Sequence, residues 1–303
     1  MSPRSFSWPI ASTLAILVLM LAVLEIATRV GFTRISRIES RTHAEYLGAL
    51  ATRRTDPARP TVLLLGNSLL LEALDYEALQ RSTAPHLQPV RFAIEQTRYF
   101  DWYYGIRRLL ASGARPHRIV LCLNLSQLSA NNIRSEYTAY YLIQTSDLVR
   151  AGQDVKLDPT GISSLFLARY SMFYAGRNNL RNFILNTLDP AYLNALHGLN
   201  SPPSKQFTDR EVLALAAPRL KALRELCAQY NVEFDFLLPP GFEDGADGLL
   251  AAGQATGTSV LVPVPQHRWK LDMYRDGFHL NHEGAKQFTG LLTTALLKIN
   301  PLR

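Results

Sequence analysis

A chain of 303 residues that is 47% hydrophobic and 19% charged is long enough to bury a sizeable core and too apolar to stay disordered. Its formal charge of +7 favours anionic surfaces such as lipid headgroups or acidic polysaccharide. The arginines are scattered, with no dense basic block interleaved with aromatics, which argues against a nucleic-acid partner.

The first element is an almost uninterrupted apolar run, PIASTLAILVLMLAVLEIA from Pro9 to Ala27, with Trp8 at one edge, Glu25 near the other and Arg29 just beyond. At 1.5 Å per residue this length roughly matches a bilayer's hydrocarbon core. No A-x-A cleavage site follows cleanly, and a soluble core helix rarely stays apolar on every face for so long. Residues 1–32 are therefore expected to form an uncleaved signal anchor, a single pass through the cytoplasmic membrane. Arg29, Arg34 and Arg37 follow the run while only Arg4 precedes it, a bias that by itself places the large domain in the cytoplasm. Residues 33–59 read as a polar, partly helical linker, and 60–303 as one domain.

Within that domain, β-rich runs fall at Thr61–Leu65, Val90–Ile94, Arg118–Leu123, Val232–Leu238 and Ser259–Val262. Helical patterns lie between them, at Leu70–Arg81, Phe100–Ser112, Asp209–Tyr230 and His282–Ile299. Short apolar runs separated by amphipathic helices predict an α/β domain whose parallel sheet is covered on both faces. In such sheets the reactive groups gather beyond the carboxyl ends of the strands. Residues 129–207 break the rhythm. Rich in Tyr, Phe, Arg and Asn, they read as a mostly helical insertion that serves as a lid, a polymer grip, a membrane contact or simply packing. Cys122, in an apolar run, and Cys227, on an expected helix, lack metal-ligand spacing and read as buried free thiols, which leaves the compartment open.

Two places carry chemistry. In TVLLLGNSLLLEAL a buried strand runs into Gly66-Asn67-Ser68 and then a helix. A serine at a helix amino terminus lies where free N–H groups favour developing negative charge, and it attacks a carbonyl if a base is in reach; the plainer reading is a helix cap. In YRDGFHLNHEGAKQFTGLL, Asp276 and His279 stand three apart in a loop before the last helix, whose expected cap is Asn281. That spacing lets the acid fix the imidazole tautomer while the other ring nitrogen takes the serine proton. His282, at the start of the helix, is expected to face solvent or a phosphate-like group. The seven histidines form no metal constellation, no cofactor is implied, and neither a phosphate loop nor a dinucleotide fingerprint is present.

Taken together, the two blocks resemble the SGNH/GDSL hydrolase superfamily, over about Thr61 to Ile299 without the insertion. The resemblance implies a three-layer αβα, flavodoxin-like domain with Ser68, Asp276 and His279 as the catalytic set. It also implies an oxyanion hole drawing on a glycine after the second strand and an asparagine after the third. Here those regions read FAIEQTRYF and LCLNLSQL, so Gln96 or Thr97 takes the first place and Asn124 or Ser126 the second. The expected donors are the Ser68 N–H and Asn124. Asn67, Arg98 and Trp102 are candidate substrate contacts, and Tyr99 and Trp269, also near turns, are candidates for a sugar or acyl group or else plain packing.

The single anchor and the phrases FDFLLPPGFED and DGFHLNHEGA resemble the membrane-anchored cell-surface branch, which includes polysaccharide O-acetyltransferases and the D-alanine transfer protein of teichoic acid. That branch implies a catalytic domain on the periplasmic or extracellular side, against the arginine bias. It further implies acyl-ester chemistry on a cell-envelope carbohydrate and a multispanning acyltransferase partner. Two rival readings remain: a non-catalytic tethered subunit that binds polysaccharide or the partner, and an intracellular lipase or thioesterase on the inner leaflet.

Overall fold

The computed structural model describes residues 7–54, 56, 58–134, 136–188 and 206–299. Positions 1–6 of the expected anchor, 189–205 of the expected insertion and 300–303 of the expected domain lie outside the described residues.

Five strands, β1 (Thr61–Gly66), β2 (Gln88–Ala93), β3 (Arg118–Cys122), β4 (Glu233–Leu237) and β5 (Ser259–Leu261), form a wholly parallel sheet in the order β2-β1-β3-β4-β5. Alternate β1 residues point to opposite faces, and both faces are covered. Leu63 and Leu65 join a core with Phe92, Leu121, Phe236, Trp102 and Leu220. Val62 and Leu64 join another with Val120, Leu237, Leu79 and Phe288. The helices Tyr99–Ala111 and Asp209–Ala228 therefore cover one face, and Tyr76–Thr83 and His282–Ile299 the other. This is the expected three-layer α/β arrangement, with a flavodoxin-like strand order whose progression reverses between β1 and β3.

The single helix expected over Leu70–Arg81 is instead two, Ser68–Ala73 and Tyr76–Thr83. Leu74 is extended, and the Asp75 carboxylate accepts the Ala78 N–H at 2.9 Å, starting a second helix. The apolar spacing runs across this break, so periodicity alone reads through it. A helix at Ala246–Thr256 that the pattern did not single out is bounded by left-handed glycines, Gly245 (φ 100) and Gly257 (φ 65).

Between the amino-terminal apolar helix and β1, Arg37–Leu50 is helical and packs on β2. Its Glu45 carboxylate accepts from the Arg91 guanidinium at 2.7 Å and from the Ala93 N–H at 2.9 Å. An edge strand is thereby covered and one of its free donors satisfied. Within 129–207, helices run over Glu136–Leu142, Leu148–Asp154, Pro159–Tyr170 and Met172–Leu188. They share a small core of their own that includes Tyr104 of the Tyr99–Ala111 helix.

The amino-terminal helix Ser7–Ala27 continues through a π-helical turn, Thr28–Phe32, into Thr33–Ile35. Its large apolar side chains from Ile10 to Ile26 are 39–64% exposed. Burial of each is worth about 1.5–3 kcal/mol, a gain that the run forgoes as long as it lies in water. It is the one helix among the described residues long and apolar enough to cross a membrane. Cys122 and Cys227 are both free and buried, and burial pushes both thiols well above their ordinary value.

Candidate active site

β1 ends at Gly66, where an added Cβ would stand 2.9 Å from the Cys122 carbonyl oxygen of β3 and 2.9 Å from Leu70 Cβ. Only glycine lets the strand turn this tightly into the helix. Asn67 is fully buried and ties the turn at both ends: Oδ1 accepts the Leu69 N–H at 3.0 Å, and Nδ2 donates to the Thr97 carbonyl beyond β2 at 2.9 Å. Ser68 is the first residue of the helix. Its N–H has no intrahelical acceptor, and the Asn67 cap takes the Leu69 N–H instead.

A tight loop at the other end of the chain meets it. Tyr274 and Leu280 form an antiparallel bridge, and the Arg275 N–H donates to the His279 carbonyl at 2.8 Å. Gly277 at the tip takes φ 79, a left-handed conformation open to glycine at little cost. Asp276 Oδ1 accepts the N–H groups of Phe278 at 3.0 Å and His279 at 2.7 Å, while Oδ2 lies 2.8 Å from His279 Nδ1. The opposite ring nitrogen, Nε2, lies 2.9 Å from Ser68 Oγ. With Asp276 accepting the Nδ1 proton, Nε2 is left with a lone pair facing the hydroxyl. Burial alone would raise the Asp276 carboxyl, but the hydrogen bonds from His279 and Phe278 outweigh it and bring the group down to about 2. The carboxylate is therefore ionised wherever the imidazole needs it.

Arg275, which carries no signal in the sequence, bridges the two halves. Its guanidinium is 2.7 Å from Glu72, one turn after Ser68 on the same helix, and 3.6 Å from Asp276. Arg275, Glu72, Leu74, Asp75, Asn281 and His282 line a cavity of about 390 Å³ beside the serine helix. His282 is exposed there, as expected, and Asn281 caps the last helix by accepting the Gly284 N–H at 3.0 Å.

The expected oxyanion residues part company. Asn124 lies two residues past β3, as Ser68 lies two past β1, and Gly66 and Cys122 are partners in register. The two thus flank the point where strand order reverses. Asn124 Oδ1 accepts the Gln127 N–H at 2.9 Å, and among the described residues no acceptor takes its Nδ2. Ser126 is already engaged: its N–H and Oγ both donate to Glu243, which also accepts the Leu125 N–H at 2.7 Å. Glu243 is buried, and burial raises its carboxyl against the pull of those bonds. Nothing in FLLPPGFED marked it beyond a carboxylate just past a strand.

Gln96 is exposed in the loop after β2 and has φ 62, the left-handed region that glycine would occupy at less cost. Thr97 behind it is buried, donating to the Ile94 carbonyl at 2.6 Å and accepting from Trp102 Nε1 at 2.9 Å. Trp102 is fully buried, so it supports this loop from behind instead of touching substrate; the same correction applies to Asn67. Tyr99 is buried under the Arg219 guanidinium, and Trp269 packs on the second core. Arg98 is half-buried at the start of its helix.

No family model matches the chain, and no curated protein matches it. Similar solved structures include the psychrotrophic esterase EstA from Pseudoalteromonas sp., at 10% identity and TM-score 0.40 over 79% of this chain and 98% of that one. A lipolytic protein of the G-D-S-L family from Desulfitobacterium hafniense DCB-2 shows 10% identity and TM-score 0.40 over 78% and 99%. TesA shows 11% identity and TM-score 0.36 over 78% and 99%. At this distance the likeness says nothing of the chemistry, which stands on the side-chain geometry.

Proposed function

We propose that this chain is a membrane-anchored serine enzyme of acyl-ester chemistry. One observation carries the reading: Ser68 Oγ lies 2.9 Å from His279 Nε2 while Asp276 holds the opposite ring nitrogen at 2.8 Å. His279 takes the Ser68 proton as Oγ attacks an ester carbonyl, and Asp276 orients the ring and balances the imidazolium that forms. The tetrahedral oxyanion is met by the Ser68 N–H and Asn124 Nδ2. His279 then returns its proton to the leaving alcohol, and the acyl-serine passes its group to a sugar hydroxyl or to water.

The substrate reading is an acyl ester on a cell-envelope carbohydrate, with the domain on the outer side of the cytoplasmic membrane beside a multispanning acyltransferase. The family resemblance supports it; the flanking arginines oppose the orientation. Retention of the anchor is supported by Glu25, whose carboxylate accepts from Ser171 Oγ at 2.7 Å and the Met172 N–H at 2.8 Å. Cleavage after the apolar run would strip that cap from the Met172–Leu188 helix.

A fluorophosphonate probe tests the chemistry. Wild-type protein is expected to label and Ser68→Ala not to; a folded wild type that fails to label overturns it and leaves the binding-subunit reading, which the engaged Ser126 and the strained Gln96 favour.

A further inference from the structure

A second cavity, of about 280 Å³, lies between the insertion and the segment that leads from the amino-terminal helix to β1, and is lined by Arg29, His43, Arg108, Tyr140, Arg169 and Tyr170 among others. Three guanidiniums from three distant segments meet here, and two of them lack a carboxylate. Arg29 is paired with Glu25 at 2.5 Å. Arg108 instead donates to the Tyr140 carbonyl, and Arg169 Nε is buried without any partner. Among the described residues neither makes an ion pair. The neighbouring buried carboxylate, Glu39, is taken up by the hydroxyls of Tyr137 and Tyr141. Burial, and after it the charge of Arg169, push the Arg108 guanidinium below its ordinary value. An oxyanion shared by the two would relieve both, and guanidinium is the side chain suited to gripping phosphate oxygens through paired donors.

The place of the cavity says which oxyanion. From Ile10 to Ala27 the helix rises roughly 27 Å, close to a bilayer's hydrocarbon thickness, so Arg29 stands at headgroup level. Its guanidinium donates to the Tyr170 carbonyl at 2.7 Å, which fixes the Pro159–Tyr170 helix, and Arg169 with it, at the same level. Phe32 packs edge-on against Phe183 at 6.4 Å, docking the Met172–Leu188 helix on the end of the anchor. The Pro159–Tyr170 helix also carries exposed Phe166 and Leu167, one turn before Tyr170, apolar surface where the bilayer would begin.

We infer that this cavity binds the phosphate of an anionic membrane lipid, whose acyl chains lie along the exposed apolar side chains of the insertion. The inference takes only the retained anchor from the proposed function and is independent of the ester chemistry. With a lipid bound there, the insertion holds the domain at a set height and orientation above the bilayer.

Native mass spectrometry of the full-length protein in mild detergent, offered equal phosphatidylglycerol and phosphatidylcholine of matched chains, tests this. Each basic residue near an anionic headgroup is worth a factor of about five, so phosphatidylglycerol adducts are expected to dominate by at least that factor. Arg169→Gln should remove most of the preference, and Arg169→Lys, which keeps the charge without the paired donors, should retain part of it. Excess inorganic phosphate should not displace the lipid. Equal retention of the two lipids by wild type overturns the inference, as does an undiminished preference in folded Arg169→Gln. Displacement by inorganic phosphate overturns the lipid source in favour of a free phosphate. Should Arg169→Gln fail to fold, the wild-type arms decide alone. Retention in carbonate-washed membranes reports the anchor separately.

Discussion

Two serines stand in the first turns of helices that follow neighbouring strands, and their fates differ. Ser68 follows β1 behind an asparagine cap and has an imidazole 2.9 Å from its oxygen. Ser126 follows β3, also behind an asparagine cap, and donates to Glu243. An imidazole oriented from behind by a carboxylate has a free lone pair and a counter-charge for the proton it gains. Glu243 has its oxygens committed to two N–H groups and a hydroxyl, so it fixes the Leu125–Ser129 helix and activates nothing. Reactivity here comes from what the partner has left to give.

The largest test of that difference is a pair of variants assayed with a small acyl ester. Ser68→Ala is expected to lower kcat by about a thousandfold or more, while Ser126→Ala stays within a few-fold. Comparable losses in both would erase the distinction. Next comes Asp276→Asn, expected to lower kcat by roughly a hundredfold or more with a smaller change in KM. The pH dependence sharpens it. The Asp276 carboxyl sits at about 2 against an ordinary 3.8, so the stability it lends is fully present above 3.8 and lost as pH falls through about 2. The melting-temperature gap between wild type and Asp276→Asn should be flat above pH 4 and close towards pH 2. A gap that closes near neutrality would mean that another group governs the loop.

Local patterns were legible in the sequence and long-range ones were not. Ser68 was visible because a buried strand, a glycine and a helix start are contiguous, and Asp276 with His279 because three residues and a glycine suffice to close their loop. Strand number, parallel pairing and a covered sheet followed from apolar runs alternating with amphipathic helices. The break at Leu74-Asp75 was hidden because one capping carboxylate interrupts the helix without interrupting the apolar spacing. Ser126 looked free because its partner Glu243 arrives from beyond β4. Trp102 looked like a surface aromatic because nothing local says which face of its helix meets the sheet. Arg29, Arg108 and Arg169 likewise carry no signal singly and form a cationic cavity only when the insertion folds back on the amino-terminal helix.

Asn124→Ala probes the shared part of the two helix starts. The asparagine caps the Ser126 helix through Oδ1, and its Nδ2 is the donor proposed to face the oxyanion. Loss of one such donor costs about a hundredfold in kcat where the hole is well formed. With a strained Gln96 where the loop after β2 would otherwise offer a glycine, roughly tenfold to a hundredfold is expected, KM changing little. A loss of thermal stability with unchanged kcat would reduce Asn124 to a cap and leave the oxyanion to the Ser68 N–H.

The smallest expected effect concerns Glu243 itself. Burial raises its carboxyl above the ordinary 4.5, against the hydrogen bonds from Ser126 and Leu125. A carboxyl raised in this way binds more protons folded than unfolded, so its contribution to stability is fully present below 4.5 and is lost as pH rises through the raised value. Glu243→Gln keeps the shape and never ionises. The melting temperature of wild type minus that of Glu243→Gln is therefore expected to fall by a few degrees as pH climbs from acid to neutral, with kcat for the small ester within a few-fold throughout. A constant difference would mean that Glu243 titrates alike in the folded and unfolded protein. A fall that continues without levelling off would mean that Glu243 stays neutral when folded, so that Ser126 faces a neutral acid and the contrast with Ser68 rests on proton affinity instead of on committed lone pairs.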